Sequence, residues 1–134
     1  MKNLLRQLLS RHPWVFAILG LACLAASGCT QVQVAPDVRG EYDFGELQVF
    51  VDADFMQAYE AAKRGLKEVG LFQTADDRKV IEAELNARDS VDTKVIVKVR
   101  EVGKNRVSLK IRYGIVRPDL PAAQKLFAAI QKNL

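Results

Sequence analysis

Three pairs of carboxylates are spaced so that two acidic groups could act on one substrate or one cation. The pairs are Asp52 with Asp54, Asp76 with Asp77, and Glu82 with Glu84. Side chains two residues apart on a strand share a face, so Glu82 and Glu84 together could perform acid–base chemistry or bind a cation. The alternative is structural: Asp54 caps a helix, Asp76 and Asp77 lie in a turn, and both glutamates face solvent.

Cysteine and histidine chemistry is confined to the start of the chain. His12, Cys23 and Cys29 are its only histidine and cysteines, so residues 30–134 offer no disulfide, no His/Cys metal site and no histidine-based triad. We therefore predict no metal site, no cofactor and no catalytic residue. The exception is an enzyme that uses carboxylates alone, which Glu82 and Glu84 would serve.

An apolar segment follows a positively charged start. Lys2, Arg6 and Arg11 precede thirteen residues, 14–26, that carry no polar side chain apart from the thiol of Cys23. As a helix they would span about 20 Å, which is short of the ~30 Å core of a bilayer. This organisation favours a signal peptide over residues 1–28. The alternative is an uncleaved anchor helix that runs to about Val32.

The four residues Ala26-Ser27-Gly28-Cys29 resemble the lipobox of bacterial lipoproteins, although that family prefers leucine where Ala26 stands. The resemblance implies cleavage between Gly28 and Cys29. It also implies attachment of lipid to the Cys29 thiol, with enough acyl chains to anchor the protein stably in a membrane. Thr30, rather than an aspartate, after the cysteine implies the inner leaflet of the outer membrane, with the domain facing the periplasm.

Basic residues are unevenly distributed along the chain. The formal net charge is +4, but residues 29–134 hold 17 basic and 16 acidic side chains. Residues 29–92 have 7 basic and 14 acidic residues, whereas residues 93–134 have 10 and 2. Five cations of the later segment are predicted to project from one sheet face: Lys94, Lys98, Arg100, Lys110 and Arg112. This face is predicted to bind anionic headgroups or an acidic partner. The alternative is a solvated face with some cations paired to Glu82 and Glu84.

Aromatic residues near the first predicted strand give a second candidate contact. Phe50 is predicted to lie on the polar face of the sheet, beside the cations. It either contacts a partner or a lipid, or lies beneath the segment that holds Tyr42 and Phe44.

The hydrophobic periodicity predicts four strands and two helices. Apolar and polar side chains alternate over residues 45–53, 79–85, 93–102 and 106–114, as in strands. Helices are predicted from the cap Asp54 to Gly70 and from Asp119 to Leu134, with apolar side chains every three or four residues. Residues 30–40 are polar and contain Pro36 and Gly40, so they are predicted to be a tether.

These elements predict an α+β fold. The order is β-α-β-β-β-α, and the most economical packing is a two-layer sandwich, a four-stranded, mainly antiparallel sheet with both helices on one face. The predicted organisation is a signal peptide (1–28), a lipidated tether (29–40) and a periplasmic α+β domain (41–134).

Most of this domain resembles a small family of bacterial envelope lipoproteins of unknown function. The resemblance lies in IEAELNA, TKVIVKV and VSLKIRYGIVRPDLPAAQKLFAAIQKNL, where an arginine-bearing strand and a glycine lead into a last helix. The matching positions are Ile111, Arg112, Gly114 and Asp119. The departure is IVRPD, where the family tends to have Gly-Asp. The resemblance implies location and fold, and it implies no activity.

We therefore predict a non-enzymatic, membrane-anchored interaction or scaffold module of the cell envelope, with an envelope protein as its partner. The alternative is a lipoprotein that binds lipid or a small ligand, on the basic face or between helices and sheet. Nucleic acid is not a predicted partner, because few aromatic residues interleave with the cations. A domain of this size fills its core with side chains, which disfavours a large internal pocket.

Overall fold

The computed structural model describes residues 29–134, which form seven strands and two helices. The strands are β1 (Thr30–Ala35), β2 (Val38–Asp43), β3 (Glu46–Val51), β4 (Phe72–Arg78), β5 (Glu82–Arg88), β6 (Lys94–Gly103) and β7 (Arg106–Tyr113). Helix α1 (Phe55–Glu68) connects β3 to β4, and helix α2 (Leu120–Lys132) follows β7.

All seven strands belong to one antiparallel sheet, in the order β1-β2-β3-β7-β6-β5-β4. Successive side chains of a strand point to opposite faces, and one face of this sheet is buried beneath both helices. The buried side chains of the two central strands are Val95, Val97, Val99, Val107, Leu109 and Ile111. The fold therefore has two layers, and we call the side of the sheet opposite the helices the open face.

The two helices pack against each other through a glycine. A Cβ added to Gly65 of α1 would lie 2.6 Å from Cγ1 of Ile130 in α2, so a larger residue would force the helices apart. Both helices begin at the predicted caps: the Asp54 carboxylate accepts a hydrogen bond from the Gln57 N–H, and the Asp119 carboxylate accepts one from the Ala122 N–H. The two predicted helices are thus confirmed.

The prediction of a four-stranded sheet is wrong, and part of the error lies in residues 30–40. They form β1 and the start of β2 rather than a tether. Val32 and Val34 are half-buried and alternate with exposed Gln31 and Gln33, which is the pattern of a short strand with one covered face. Residues 36–37, including the presumed breaker Pro36, form the turn between the two strands.

The seventh strand is β4, at the opposite edge of the sheet. All seven of its residues are exposed, so FQTADDR has no apolar alternation to predict a strand. Asp76 and Asp77, predicted to lie in a turn, pair in β4 with Leu85 and Glu84 of β5. The strand predicted over residues 79–85 begins only at Glu82, because residues 79–81 connect β4 to β5.

Cys29, the predicted lipidation site, directly precedes β1. The predicted signal peptide, including Gly28 of its cleavage site, lies outside the described residues. Neither helix in residues 29–134 is both long enough and apolar enough to cross a membrane.

Candidate interaction surface

The open face of the sheet carries all five cations that the alternation had placed on one side. Lys98 and Arg100 lie on β6 and Lys110 and Arg112 on β7. Each follows a buried aliphatic residue, which points to the opposite face of the sheet. Lys94 is the first residue of β6, opposite Arg88 of β5, at the end of the sheet. The other four cations are neighbours at the centre of the sheet, because β6 pairs with β7. We call these four the cationic cluster.

Two like charges lie directly opposite each other in the cationic cluster. Lys98 pairs with Lys110 in the β6–β7 register, and such an arrangement destabilises a sheet. Carboxylates on the outer neighbours offset part of this repulsion. The Lys98 Nζ lies 4.0 Å from Glu84 Oε2 on β5, and the Lys110 Nζ lies 3.4 Å from Glu46 Oε1 on β3. The cluster is therefore a cationic stripe bordered by carboxylates on both sides.

Glu46 belongs to this surface, and sequence reasoning missed it. Its carboxylate lies against two cations, since its Oε2 is also 4.0 Å from Nε of Arg112. This contact requires β3 to pair with β7, two strands that are far apart in sequence. Alternation within one strand gives no information on such a pairing. The only sequence signal was that Glu46 lies two residues before Gln48, on the polar side of β3.

An open groove of about 360 Å³ runs along one side of the cationic cluster. Its charged and hydroxyl-bearing lining consists of Asp77, Lys79, Glu82, Glu84, Lys98, Arg100, Ser108 and Lys110. Ser108 is buried, and its hydroxyl accepts a hydrogen bond from the Gln48 amide at 3.1 Å. The groove is open to solvent, so it can contact a carboxylate or phosphate group without fully enclosing it.

Glu82 and Glu84 share the open face, but each contacts a different cation. The Glu82 carboxylate lies 3.1 Å from the Lys79 ammonium, whose hydrogen bond and charge lower the Glu82 pKa. Glu84 accepts a hydrogen bond from the Asn86 amide at 3.1 Å and lies near Lys98. The Glu84–Lys98 contact is the cross-strand pairing that the structural alternative predicted, whereas Glu82 pairs with Lys79, which is not one of the five predicted cations. Among residues 29–134, no group of three or more His, Cys, Asp or Glu side chains could hold a metal ion.

In each of the other two carboxylate pairs, one member makes a structural contact. Asp54 is the cap of α1, and Asp52 is exposed in the connection before it. Asp76 accepts a 2.6 Å hydrogen bond from the Tyr59 hydroxyl and lies 3.5 Å from the Lys63 ammonium. Burial opposes ionisation of Asp76, but the Tyr59 hydrogen bond and the Lys63 charge outweigh it and lower the pKa. This contact attaches the edge strand β4 to helix α1.

The three aromatic residues named from the sequence do not form a cluster. Phe50 lies on the open face, 44% exposed, and the Arg106 guanidinium lies 5.4 Å from its ring centroid. Tyr42 is half-buried and packs against the core beneath the helices. Phe44 is in the β2–β3 turn and is 88% exposed. Phe50 is therefore beside the cationic strands, as predicted, but Tyr42 and Phe44 do not cover it.

Cys29 has an exposed thiol at the corner of the same sheet. The next residue, Thr30, already pairs with Tyr42 of β2. Cys29 lines a second recess of the open face together with Glu41, Asp43, Phe44, Glu46, Gln48, Lys110 and Arg112. An attachment at this thiol would therefore join the domain at the edge of the face that bears the cationic cluster.

The fold and this surface define a two-layer α+β domain with one open, charged sheet face. The chain belongs to the family described as protein of unknown function (DUF3568), whose model matches residues 14–133. The expected resemblance to a family of unknown function is thereby confirmed. No curated protein matches the chain.

Proposed function

We propose that this protein is a lipid-anchored interaction module of the bacterial cell envelope, non-enzymatic, with the open face as its binding surface. The observation that carries the proposal is the cationic cluster on a sheet face without helices. It places Lys98 directly opposite Lys110 at the centre of that face. A like-charge pair on neighbouring strands lowers stability, and an acidic partner would remove the repulsion.

The anchor is supported by the sequence before β1 and by the position of the thiol. The apolar segment 14–26 and the lipobox-like residues 26–29 favour cleavage before Cys29 and acylation of its sulfur. The thiol is exposed, as acylation requires. The family match begins at residue 14, so it includes the apolar segment. Thr30 after the cysteine favours the inner leaflet of the outer membrane, with the domain in the periplasm.

A protein partner fits this surface better than a small molecule does. The cationic stripe is bordered by Glu84 on one side and Glu46 on the other, so the surface presents charges of both signs in a fixed order. A complementary surface would be recognised by its charge pattern, and a wrong partner would be excluded by like charges. Phe50 and its cation–π contact with Arg106 add an exposed aromatic side chain on the same face.

The second candidate function is lipid or small-ligand binding in the groove beside the cationic cluster. Lys98, Arg100, Lys110 and Ser108 line about 360 Å³ of open space, in which an anionic headgroup could contact several donors. The carboxylates Asp77, Glu82 and Glu84 in the same lining oppose an anion, which is why this function ranks second.

Crosslinking in living cells tests the protein-partner proposal. The variant Lys98→Glu/Arg100→Glu/Lys110→Glu reverses three charges of the cationic cluster. The matched control, Lys67→Glu/Lys104→Glu/Lys125→Glu, reverses three exposed cations on α1, the β6–β7 turn and α2. We expect one envelope protein to crosslink to the wild type and the control but not to the cluster variant. Equal loss in both variants, or phospholipid or lipopolysaccharide enriched in place of a protein, would contradict it.

The anchor is tested separately. Inhibition of the lipoprotein signal peptidase should cause the full-length precursor to accumulate, and mass spectrometry of the mature protein should find acyl chains on Cys29. Cys29→Ser should abolish both the mature form and its fractionation with the membrane. Unchanged size and fractionation in either experiment would show that the protein is not a lipoprotein.

A further inference from the structure

Five chain segments lie side by side along the end of the sheet where Cys29 precedes β1. The other four are the β2–β3 turn (residues 44–45), the start of β4, the β5–β6 connection (89–93) and the β7–α2 connection (114–119). The strand registers place them at the same end of the sheet: Thr30 is opposite Tyr42, Phe72 is opposite Arg88, and Val95 is opposite Tyr113. We call this the Cys29 end of the sheet.

Each of those four segments exposes a large apolar side chain. The exposed fractions are 88% for Phe44, 68% for Phe72, 79% for Val91, 49% for Ile115 and 91% for Val116. Two of the segments contact each other directly, because a Cβ on Gly45 would overlap Pro118. The exposed side chains therefore follow one rim of the molecule, beginning beside the predicted lipidation site.

Carboxylates in these connections are engaged by neighbouring groups. Asp89 accepts hydrogen bonds from the backbone N–H groups of Val91 and Thr93 and from the Tyr113 hydroxyl. Asp92 lies 3.0 Å from the Arg88 guanidinium, and Asp119 caps α2. Acidic groups of the connections therefore make local contacts rather than standing as isolated charges beside the apolar side chains.

We propose that the Cys29 end docks on the surface of the phospholipid bilayer, with Phe44, Val91 and Val116 in the interfacial layer. The inference rests on the proposed anchor and adds an orientation to it. Since Thr30 is already paired in the sheet, no slack chain separates Cys29 from the domain. One strand residue spans only about 3.3 Å, so a lipid on Cys29 holds the β1 corner of this rim within a few ångströms of the headgroups. The rest of the rim extends from that corner across strands about 4.8 Å apart, and it reaches the interface when this end of the sheet faces the bilayer. An apolar rim held there is buried in the interface instead of exposed to water.

The opposite end of the sheet supplies a matched control. Val80 in the β4–β5 connection is 89% exposed, almost the same as Val116, but it lies at the far ends of the strands from Cys29. Exposed apolar residues alone therefore do not distinguish the two ends. The position of the anchor distinguishes the two ends of the sheet, and it predicts contact with lipid at Val116 and none at Val80.

Fluorescence quenching in vesicles tests the orientation with the acylated protein. Val116→Cys and Val80→Cys variants are labelled with bimane and reconstituted into vesicles of phosphatidylethanolamine and phosphatidylglycerol, with or without headgroup-region nitroxide lipid. We expect the lipid to quench the Val116→Cys label at least about twofold and to leave the Val80→Cys label nearly unchanged. A Val91→Cys label, at a second site of the rim, should behave like the Val116→Cys label.

Flotation of the same samples tests the lipid anchor separately from the docking of the Cys29 end. Protein that fails to float with the vesicles would show that the anchor itself is wrong. Protein that floats, with equal quenching at the two ends or stronger quenching for Val80→Cys, would leave the anchor standing and overturn the docking of the Cys29 end. Floating protein in which the Val116→Cys and Val91→Cys labels are both quenched more strongly than the Val80→Cys label supports docking of the Cys29 end.

Discussion

The two faces of the sheet are made by alternate residues of the same strands, yet they have opposite chemistry. In β7, Leu109 is fully buried beneath the helices, whereas the next residue, Lys110, is part of the cationic cluster on the open face. The covered face is aliphatic and well packed, so it supplies stability. The open face holds like charges side by side, so its composition is not explained by stability. Substitutions on the two faces should therefore have separable effects.

The largest expected difference lies between adjacent residues of β7. Leu109→Ala should lower the free energy of unfolding by about 2–5 kcal/mol, because it removes buried methyl groups and leaves a cavity. Lys110→Ala should change it by less than about 1 kcal/mol, because it removes an exposed ion pair and a like-charge contact together. Urea unfolding followed by circular dichroism measures both. Similar losses in the two variants would show that the open face is also structural.

A smaller effect is expected where the helices that cover the sheet touch. Gly65→Ala would place a methyl group 2.6 Å from Cγ1 of Ile130, so α1 and α2 must separate. We expect a loss of about 1–3 kcal/mol in the free energy of unfolding, despite the higher helix propensity of alanine. Lys67→Ala, exposed on the same helix, is the control and should be nearly neutral. A more stable Gly65→Ala protein would mean that the helix contact is loose.

Tyr59→Phe tests how the edge strand β4 is attached to the covered side. Loss of the hydrogen bond to Asp76 should cost about 1 kcal/mol at neutral pH. The Asp76 pKa is lowered in the folded protein, so its contribution is present above the unfolded value of about 3.9 and is lost as the pH falls through the folded pKa. The difference in the free energy of unfolding between wild type and Tyr59→Phe should therefore become smaller below pH 4. A difference that stays constant with pH would assign the effect to packing. An equal loss in the control variant Tyr42→Phe would also assign it to packing.

The smallest effect is expected on the open face itself. Lys98→Thr removes the charge opposite Lys110 and its 4.0 Å contact with Glu84, so the free energy of unfolding should stay constant or rise by up to about 1 kcal/mol. Partner crosslinking should nevertheless fall. A loss of more than 1 kcal/mol would make Lys98 a structural residue, and unchanged crosslinking would remove it from the binding surface.

The sequence predicted well the elements whose covered face is apolar. Helix α1 was predicted because Phe55, Tyr59 and Leu66 recur at helical spacing, and β6 because Val95, Val97 and Val99 alternate with polar residues. Strand β4 was missed because a strand at the sheet edge with seven exposed residues shows no such pattern. The hairpin of β1 and β2 was missed because two half-buried valines among glutamines resemble a polar linker.

Pairing between distant strands explains what was missed at the candidate surface. Alternation within β6 and β7 was enough to put Lys98, Arg100, Lys110 and Arg112 on one side of the sheet. It was not enough to place Glu46 against two of them, because that depends on which strand lies beside β7. The pairing of β1 with β2 is a second example: it replaces the predicted tether with a strand and places Cys29 at the rim of the domain.

Under the proposed anchor and docking, the start of β1 directly after Cys29 would also set a height above the membrane. With the Cys29 end on the bilayer, β6 rises away from it at about 3.3 Å per residue, so Lys98 stands roughly 13 Å and Arg100 roughly 20 Å above the level of Lys94. Salt at physiological strength screens charges beyond about 8 Å, so headgroup phosphates attract these side chains only weakly. The open face would then lie roughly perpendicular to the bilayer. Its charges would be presented, at a fixed distance from the membrane, to a neighbouring protein in the periplasm.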